Sequence, residues 1–318
     1  MCGFAGFCGV YRRFDRQATG KAATVGPVRQ HTTYGMASKD NSAHNNSSMN
    51  NMADSFKGSA ADSFFHPPPS LGLLALELRA FWEFGALLPA WHALKKAPAG
   101  DGHSIIVFPG LSAGDASTAP LRRYLTTLGY EVNGWNQGLN LGPRHGVLDS
   151  AKLQVQETFA ATGRKVSLIG WSLGGIYARE LAKMLPDMVH CVITLGTPFA
   201  SSPKSTNAWR VYEFATGRKT EVESKNYDLP TAPPMPTTSI YSKTDGVVAW
   251  QGSIQAPNKT NQRTENIEVF ASHIGMGLNP SAWWAVADRL SQSHQGWKPF
   301  VAPKLMGLQH LLYPNACQ

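Results

Sequence analysis

Residues 165–182 read Lys165-Val166-Ser167-Leu168-Ile169-Gly170-Trp171-Ser172-Leu173-Gly174-Gly175-Ile176-Tyr177-Ala178-Arg179-Glu180-Leu181-Ala182. The apolar run up to Ile169 has the length of a buried strand, and the residues from Gly175 to Leu185 take up helical spacing at once. Between them lies a G-x-S-x-G pattern, which puts Ser172 on a tight strand-to-helix turn with its hydroxyl lifted above the sheet. Gly170 and Gly174 suit that turn because a β-carbon at either position would crowd the approach of helix to strand. So short a pattern recurs by chance in a chain with 30 glycines, and its specificity comes from having the strand before it and the helix after it.

The same alternation extends in both directions. Ser104–Phe108, Tyr130–Gly134, Val166–Gly170, Val189–Leu195, Thr237–Tyr241 and Asn266–Phe270 read as strands. Leu121–Leu128, Val147–Ala161, Gly175–Leu185 and Pro280–Ser291 read as helices. Repeated β-α units predict an α/β fold with a mostly parallel sheet of about six strands, helices on both faces and right-handed crossovers.

A serine hydroxyl is a weak nucleophile at neutral pH, so it requires a base, and the base requires a third group to orient it. Turns of this kind are followed in the chain by an Asp or Glu and then a His, each after a later strand. Asp245 follows the fifth predicted strand and His273 follows the sixth, which makes Ser172, Asp245 and His273 the candidate catalytic set. His190, His294 and His310 fit the order less well, and Glu223 and Asp228 are the fallback acids. An oxyanion forming on the substrate needs two fixed donors. The N–H of Leu173 is one candidate; the other is the N–H of Leu111, with Ser112 second, in the loop Pro109-Gly110-Leu111-Ser112 after the first strand.

Outside this core the chain changes character. Residues 1–66 are rich in Ser, Asn, Ala, Gly and Thr and read as a disordered arm. A Pro-rich boundary and an amphipathic helix, Leu71 to Leu88, occupy 67–100, with Pro89 expected to end the helix. The α/β domain is assigned to 101–300 and a tail to 301–318. An insertion at 199–236, carrying five prolines, has the length of a lid or substrate loop. Glu77, Arg79 and Glu83 argue against a membrane span at Leu71–Trp91, since each costs about 2.5–3.5 kcal/mol at a bilayer centre. Packing on the domain and contact with a lipid surface are the two uses considered for that helix.

Composition narrows the function classes. With 42% hydrophobic residues the chain can bury a large core, and a net charge of +8 spread without any dense basic run gives no nucleic-acid footprint. Cys2, Cys8, Cys191 and Cys317 form neither a metal-like pair nor a regular disulfide pattern, and Cys191 sits in an apolar run as a small core residue. The residues suggest no metal ligand set and no cofactor. No charged n-region precedes a long apolar stretch, so a cytoplasmic location is expected.

From about Ser104 to Leu290 the chain resembles the α/β-hydrolase superfamily, in particular compact bacterial lipases and esterases. Gly196-Thr197-Pro198-Phe199 resembles a segment common in such lipases; Pro109-Gly110 departs from their usual His-Gly pair in the oxyanion loop. The resemblance implies hydrolysis of a carboxylic ester through an acyl-enzyme, with Phe199 and Trp250 shaping the acyl site. An acyltransferase or thioesterase using the same three residues, and a non-catalytic binding protein of this fold, are the alternatives.

Overall fold

The computed structural model describes residues 66–200, 207, 228–257, 261–292, 296–304 and 307–316. The chain divides into Met1–Asn51 and Met52–Gln318, and the first unit lies wholly outside the described residues. So does the expected arm up to residue 65, and so does most of the expected lid insertion.

Six strands form one parallel sheet: β1 (Ser104–Phe108), β2 (Glu131–Gly134), β3 (Val166–Trp171), β4 (Val189–Leu195), β5 (Thr237–Tyr241) and β6 (Thr264–Glu268), in the spatial order β2-β1-β3-β4-β5-β6. At the carboxyl ends of the central strands Phe108 faces Gly170 and Gly170 faces Thr194, while the β3–β4 register shifts between Val166 and Leu168. The order runs one way from β1 to β2 and the other way from β3 onward, so a crevice opens at the carboxyl ends of β1 and β3.

β1, β3 and β4 are largely apolar runs because both sheet faces are covered at the centre. Ile105 and Val107 pack into one cluster with Tyr124, Leu125, Trp283 and Val286. Ile106 and Phe108, pointing the opposite way, pack with Val155, Leu168, Tyr177 and Leu181. The first cluster is roofed by α2 (Ala80–Leu94), α3 (Asp115–Thr127) and α7 (Pro280–Leu290), the second by α4 (Val147–Thr162) and α5 (Leu173–Met184). Cys191 is a free thiol buried in the first cluster, and burial pushes its pKa up to about 11.

Three expectations need correction. The segment expected as one helix ending before Pro89 is α1 (Leu71–Ala75), a 3-10 turn (Leu76–Arg79) and then α2, which continues through Pro89 to Leu94. Pro89 cannot bond the Gly85 carbonyl, but both residues are exposed and water can take that acceptor, while buried Leu87 and Leu94 hold the helix on either side. Likewise α3 starts at Asp115, six residues before the expected Leu121, and contains Pro120. The edge strand β6 lies two residues earlier than expected, because Thr264, Glu265 and Asn266 pair with β5 although they are only half-buried.

The amphipathy of the 71–88 segment also runs opposite to a packed helix. Leu78 and Trp82 are 73% and 82% exposed, whereas Glu77 is 5% exposed. The tail, from which no element was expected, holds α8 (Gln309–Leu312), a buried Tyr313 whose hydroxyl donates to Ser281 O, and Asn315 bonded to Asn266 and Glu268 of β6. At the return from the insertion, buried Arg179 of α5 donates to Gln255 Oε1 and to the carbonyls of Leu229, Pro230 and Thr231. Burial lowers its pKa to about 9. Among the described residues no helix is long and apolar enough to cross a membrane.

Candidate active site

Ser172 sits between β3 and α5 with φ +53° and ψ −122°, a left-handed backbone that costs a non-glycine residue roughly 1–3 kcal/mol. The turn is held from below by its neighbours. Ser172 N donates to Leu195 O at the end of β4 (2.8 Å), and Gly175 N donates to Ser172 O (3.0 Å). A β-carbon on Gly170 would come within 2.3 Å of Gly175 backbone atoms, and one on Gly174 within 2.3 Å of Phe108 O. The glycine spacing of the motif is therefore a packing requirement between α5, β1 and β3.

The three predicted residues meet above the sheet. His273 Nε2 lies 3.0 Å from Ser172 Oγ, and His273 Nδ1 lies 2.7 Å from Asp245 Oδ2. The other carboxylate oxygen of Asp245 accepts from Val247 N (2.8 Å) and Val248 N (2.7 Å), so the side chain cannot swing from the imidazole without losing both. Ser272 caps the short helix α6 (His273–Met276) by accepting from Gly275 N, which fixes the start of the turn that carries His273. Trp171 Nε1 donates to His273 O (3.1 Å) and ties that turn to the end of β3.

His273 is buried, which disfavours its cation, but the Asp245 charge and hydrogen bond and the more distant charge of Glu77 outweigh burial and raise its pKa above the ordinary 6.5. A base so held accepts the hydroxyl proton readily and keeps the resulting imidazolium stable. Of the fallback acids, Asp228 is exposed, its carbonyl bonded to Lys183, and Glu223 lies outside the described residues. His310 is exposed on α8 and His294 lies outside the described residues.

The loop after β1 is held against the site. Gly110 lies so close that a β-carbon on it would be 3.3 Å from Ser172 Cβ. Ser112 N is committed to Asn140 O (2.7 Å), which leaves Leu111 as the donor candidate of the two. Leu173 is the first residue of α5, where backbone N–H groups have no acceptor within the helix. Sequence reading missed Asn140, which is fully buried: its Nδ2 donates to Pro109 O (2.8 Å), and its Oδ1 accepts from Gly142 N and Tyr177 OH. Phe199 is buried with the Arg179 guanidinium 3.8 Å above its ring, and Trp250 is half-buried and stacked on Tyr241.

A second relay, also unforeseen, runs from Asp101 through His103 to Ser167 at the opposite end of the sheet, with contacts of 2.5 and 2.7 Å. Burial pushes the His103 pKa below 6.5, and Ser167 is fully enclosed within β3, so no carbonyl carbon can approach its oxygen. Its buried members, His103 and Ser167, are hydrogen-bonded, and its carboxylate is exposed. No group of three or more His, Cys, Asp or Glu side chains with metal-binding geometry occurs among the described residues.

A parallel sheet in this order, with a serine elbow after its third strand and the Asp and His after its fifth and sixth, defines the α/β-hydrolase fold. No protein-family model matches the sequence, and no curated protein matches it. Similar solved structures include lipase B from Aspergillus fumigatus, at 17% identity over 61% of this chain and 53% of that one, with a TM-score of 0.46. This chain thus spans about half the length of that lipase. An alpha/beta superfamily hydrolase from Oenococcus oeni is 19% identical over 61% of this chain and 94% of its own, with a TM-score of 0.45. An alpha/beta hydrolase from a lagoon-sediment metagenome of Mar Chica, Morocco, is 21% identical over 59% and 90%, with a TM-score of 0.39.

Proposed function

We propose that the chain is a serine hydrolase that cleaves carboxylic esters through an acyl-enzyme. The observation that carries this reading is the unbroken contact from Ser172 Oγ through His273 to the buried Asp245, on a strained turn. In the first half-reaction Ser172 Oγ attacks the ester carbonyl carbon as its proton passes to His273 Nε2. The tetrahedral oxyanion then receives the N–H groups of Leu173 and Leu111, assisted by the positive end of the α5 dipole. Collapse expels the alkoxide, which takes the proton from His273 and leaves as the alcohol. Water repeats the sequence on the acyl-enzyme, giving its proton to His273, and the carboxylic acid departs as Ser172 recovers its hydrogen.

The reading needs no metal and no cofactor. Trp250, half-buried after the Asp245 turn, and buried Phe199 are the aromatic side chains assigned to the acyl group in this reading. Assay with p-nitrophenyl esters of two to sixteen carbons tests the reaction and grades the acyl site in one series. Ser172→Ala is expected to abolish turnover while its circular dichroism spectrum stays that of the parent. Retained turnover would remove the assignment. Partition between water and an added alcohol or thiol separates a hydrolase from an acyltransferase or thioesterase.

The outward apolar side of the 71–88 segment supports a peripheral contact with a lipid surface. Leu71, Leu78, Phe81, Trp82 and Leu88 are all strongly exposed, and exposed Lys95 and Lys96 follow the end of α2. An apolar face beside cationic side chains suits an anionic lipid surface. Co-sedimentation with phosphatidylglycerol vesicles, lost in Leu78→Glu/Trp82→Glu, is the expected result. Equal sedimentation of parent and variant would remove it.

A further inference from the structure

The 71–94 segment lies before the first strand of the sheet, yet its Glu77, Arg79 and Glu83 side chains turn inward to the two loops that hold Asp245 and His273. Glu77 Oε1 accepts from Gly246 N (2.7 Å) and His273 N (2.9 Å), and its Oε2 accepts from Ile274 N (2.8 Å). Glu83 Oε1 accepts from Ser272 N (2.7 Å), and Arg79 donates to Thr244 O (2.8 Å) and Thr244 Oγ1 (2.7 Å). Every residue from Ser272 to Ile274, and both neighbours of Asp245, is thereby bonded to this segment, directly or through its own backbone.

The receiving surface is shaped for that contact. A β-carbon on Gly246 would lie 2.2 Å from Leu73 O, and one on Gly275 would lie 2.2 Å from Glu83 Oε2. Burying the carboxylate of Glu77 is costly unless its lone pairs are filled, and three backbone donors fill them. Orienting Leu78 and Trp82 to solvent is the counterpart of turning Glu77 in.

We infer that Glu77 is a positioning residue that clamps the Asp245 and His273 loops together and sets the imidazole against Ser172. The inference rests on the serine-hydrolase reading for its effect on turnover, though the clamp itself is a statement about backbone geometry. The carboxylate also faces His273 electrostatically. The charged side chains around that turn are Asp245 from the loop after β5, and Glu77, Glu83 and Arg79 from the 71–94 segment; Glu77 and Asp245 both favour the imidazolium.

The test uses the full chain with Glu77→Gln and Glu77→Asp, melting curves, kcat and KM for p-nitrophenyl acetate against pH, and NMR titration of the His273 ring. Gln keeps an acceptor for two of the donors and loses the charge; Asp keeps the charge and cannot reach all three. A misplaced base lowers kcat, so Glu77→Gln is expected to lose roughly 10- to 100-fold in kcat with KM nearly constant. Its ring titration and the acid limb of its profile should both move to lower pH. Glu77→Asp should lose kcat while its acid limb stays near that of the parent. Parent-like kcat and an unmoved acid limb in a folded Glu77→Gln would overturn the inference.

Amide exchange of the parent protein supplies a reading that needs no variant. Gly246, His273 and Ile274 N–H should exchange at least about 100-fold slower than open amides, and exchange at open rates would overturn the clamp. If the parent hydrolyses no ester, the serine-hydrolase reading fails by itself, while exchange and ring titration still decide the clamp.

Discussion

His273 Nδ1 lies 2.7 Å from Asp245 Oδ2, and neither residue is more than 7% exposed. A buried carboxylate at this distance stabilises the imidazolium, and the His273 pKa stands above 6.5 in spite of burial. The base works only when neutral, so kcat/KM should rise with pH along a limb centred above 6.5. The linkage has the opposite sign for stability. Because the folded pKa is raised, the stabilisation is complete below the unfolded value and is lost as pH rises through the folded one. Asp245→Asn should shift the acid limb downward and cut kcat by roughly 10³- to 10⁴-fold, as measured by initial rates across pH 5–9.

Two glycines should respond in opposite directions to the same substitution. At Gly174 the new methyl meets Phe108 O at 2.3 Å and Pro109 O at 2.7 Å, backbone atoms that cannot rotate away. Gly174→Ala is expected to lose about 1–3 kcal/mol of stability, along with turnover. Gly85, exposed in the interior of α2, has nothing within 4 Å of the position a methyl would take. Gly85→Ala should gain about 0.5–1 kcal/mol through helix propensity. Urea unfolding of the two variants reads both signs.

Asn140 links the oxyanion loop to α5. Asn140→Ala would leave Pro109 O without its 2.8 Å donor and Gly142 N without its 3.2 Å acceptor. The unpaired groups cost roughly 1–3 kcal/mol. Since the loop donor serves the transition state more than the bound ester, steady-state kinetics should show kcat falling further than KM rises.

The parts of this fold that were legible are those where one physical demand dominates a short stretch. β1, β4 and β5 fall on the runs read from the sequence because both sheet faces bury them. Ser172, Asp245 and His273 were legible because each follows a strand in a fixed chain order. Legibility ended where long-range contacts override local signals. Pro89 read as a stop and the helix holding Pro120 was read only from Leu121, yet tertiary packing carries both helices through their prolines. Glu77 read as a reason against a membrane span, and its partners lie 169 to 197 residues away with nothing local to betray them. Asn140 and the His103–Ser167 contact of the second relay were hidden for the same reason, since these hydrogen bonds join segments far apart in the chain.

The most direct test is to treat the full chain with a fluorophosphonate and locate the adduct by mass spectrometry of its peptides. Only a serine whose hydroxyl is activated by a neighbouring base reacts readily. The account predicts one adduct, on Ser172, absent in Ser172→Ala and slowed by orders of magnitude in His273→Ala. A protein that stays unlabelled, or carries its label on another serine, would contradict it.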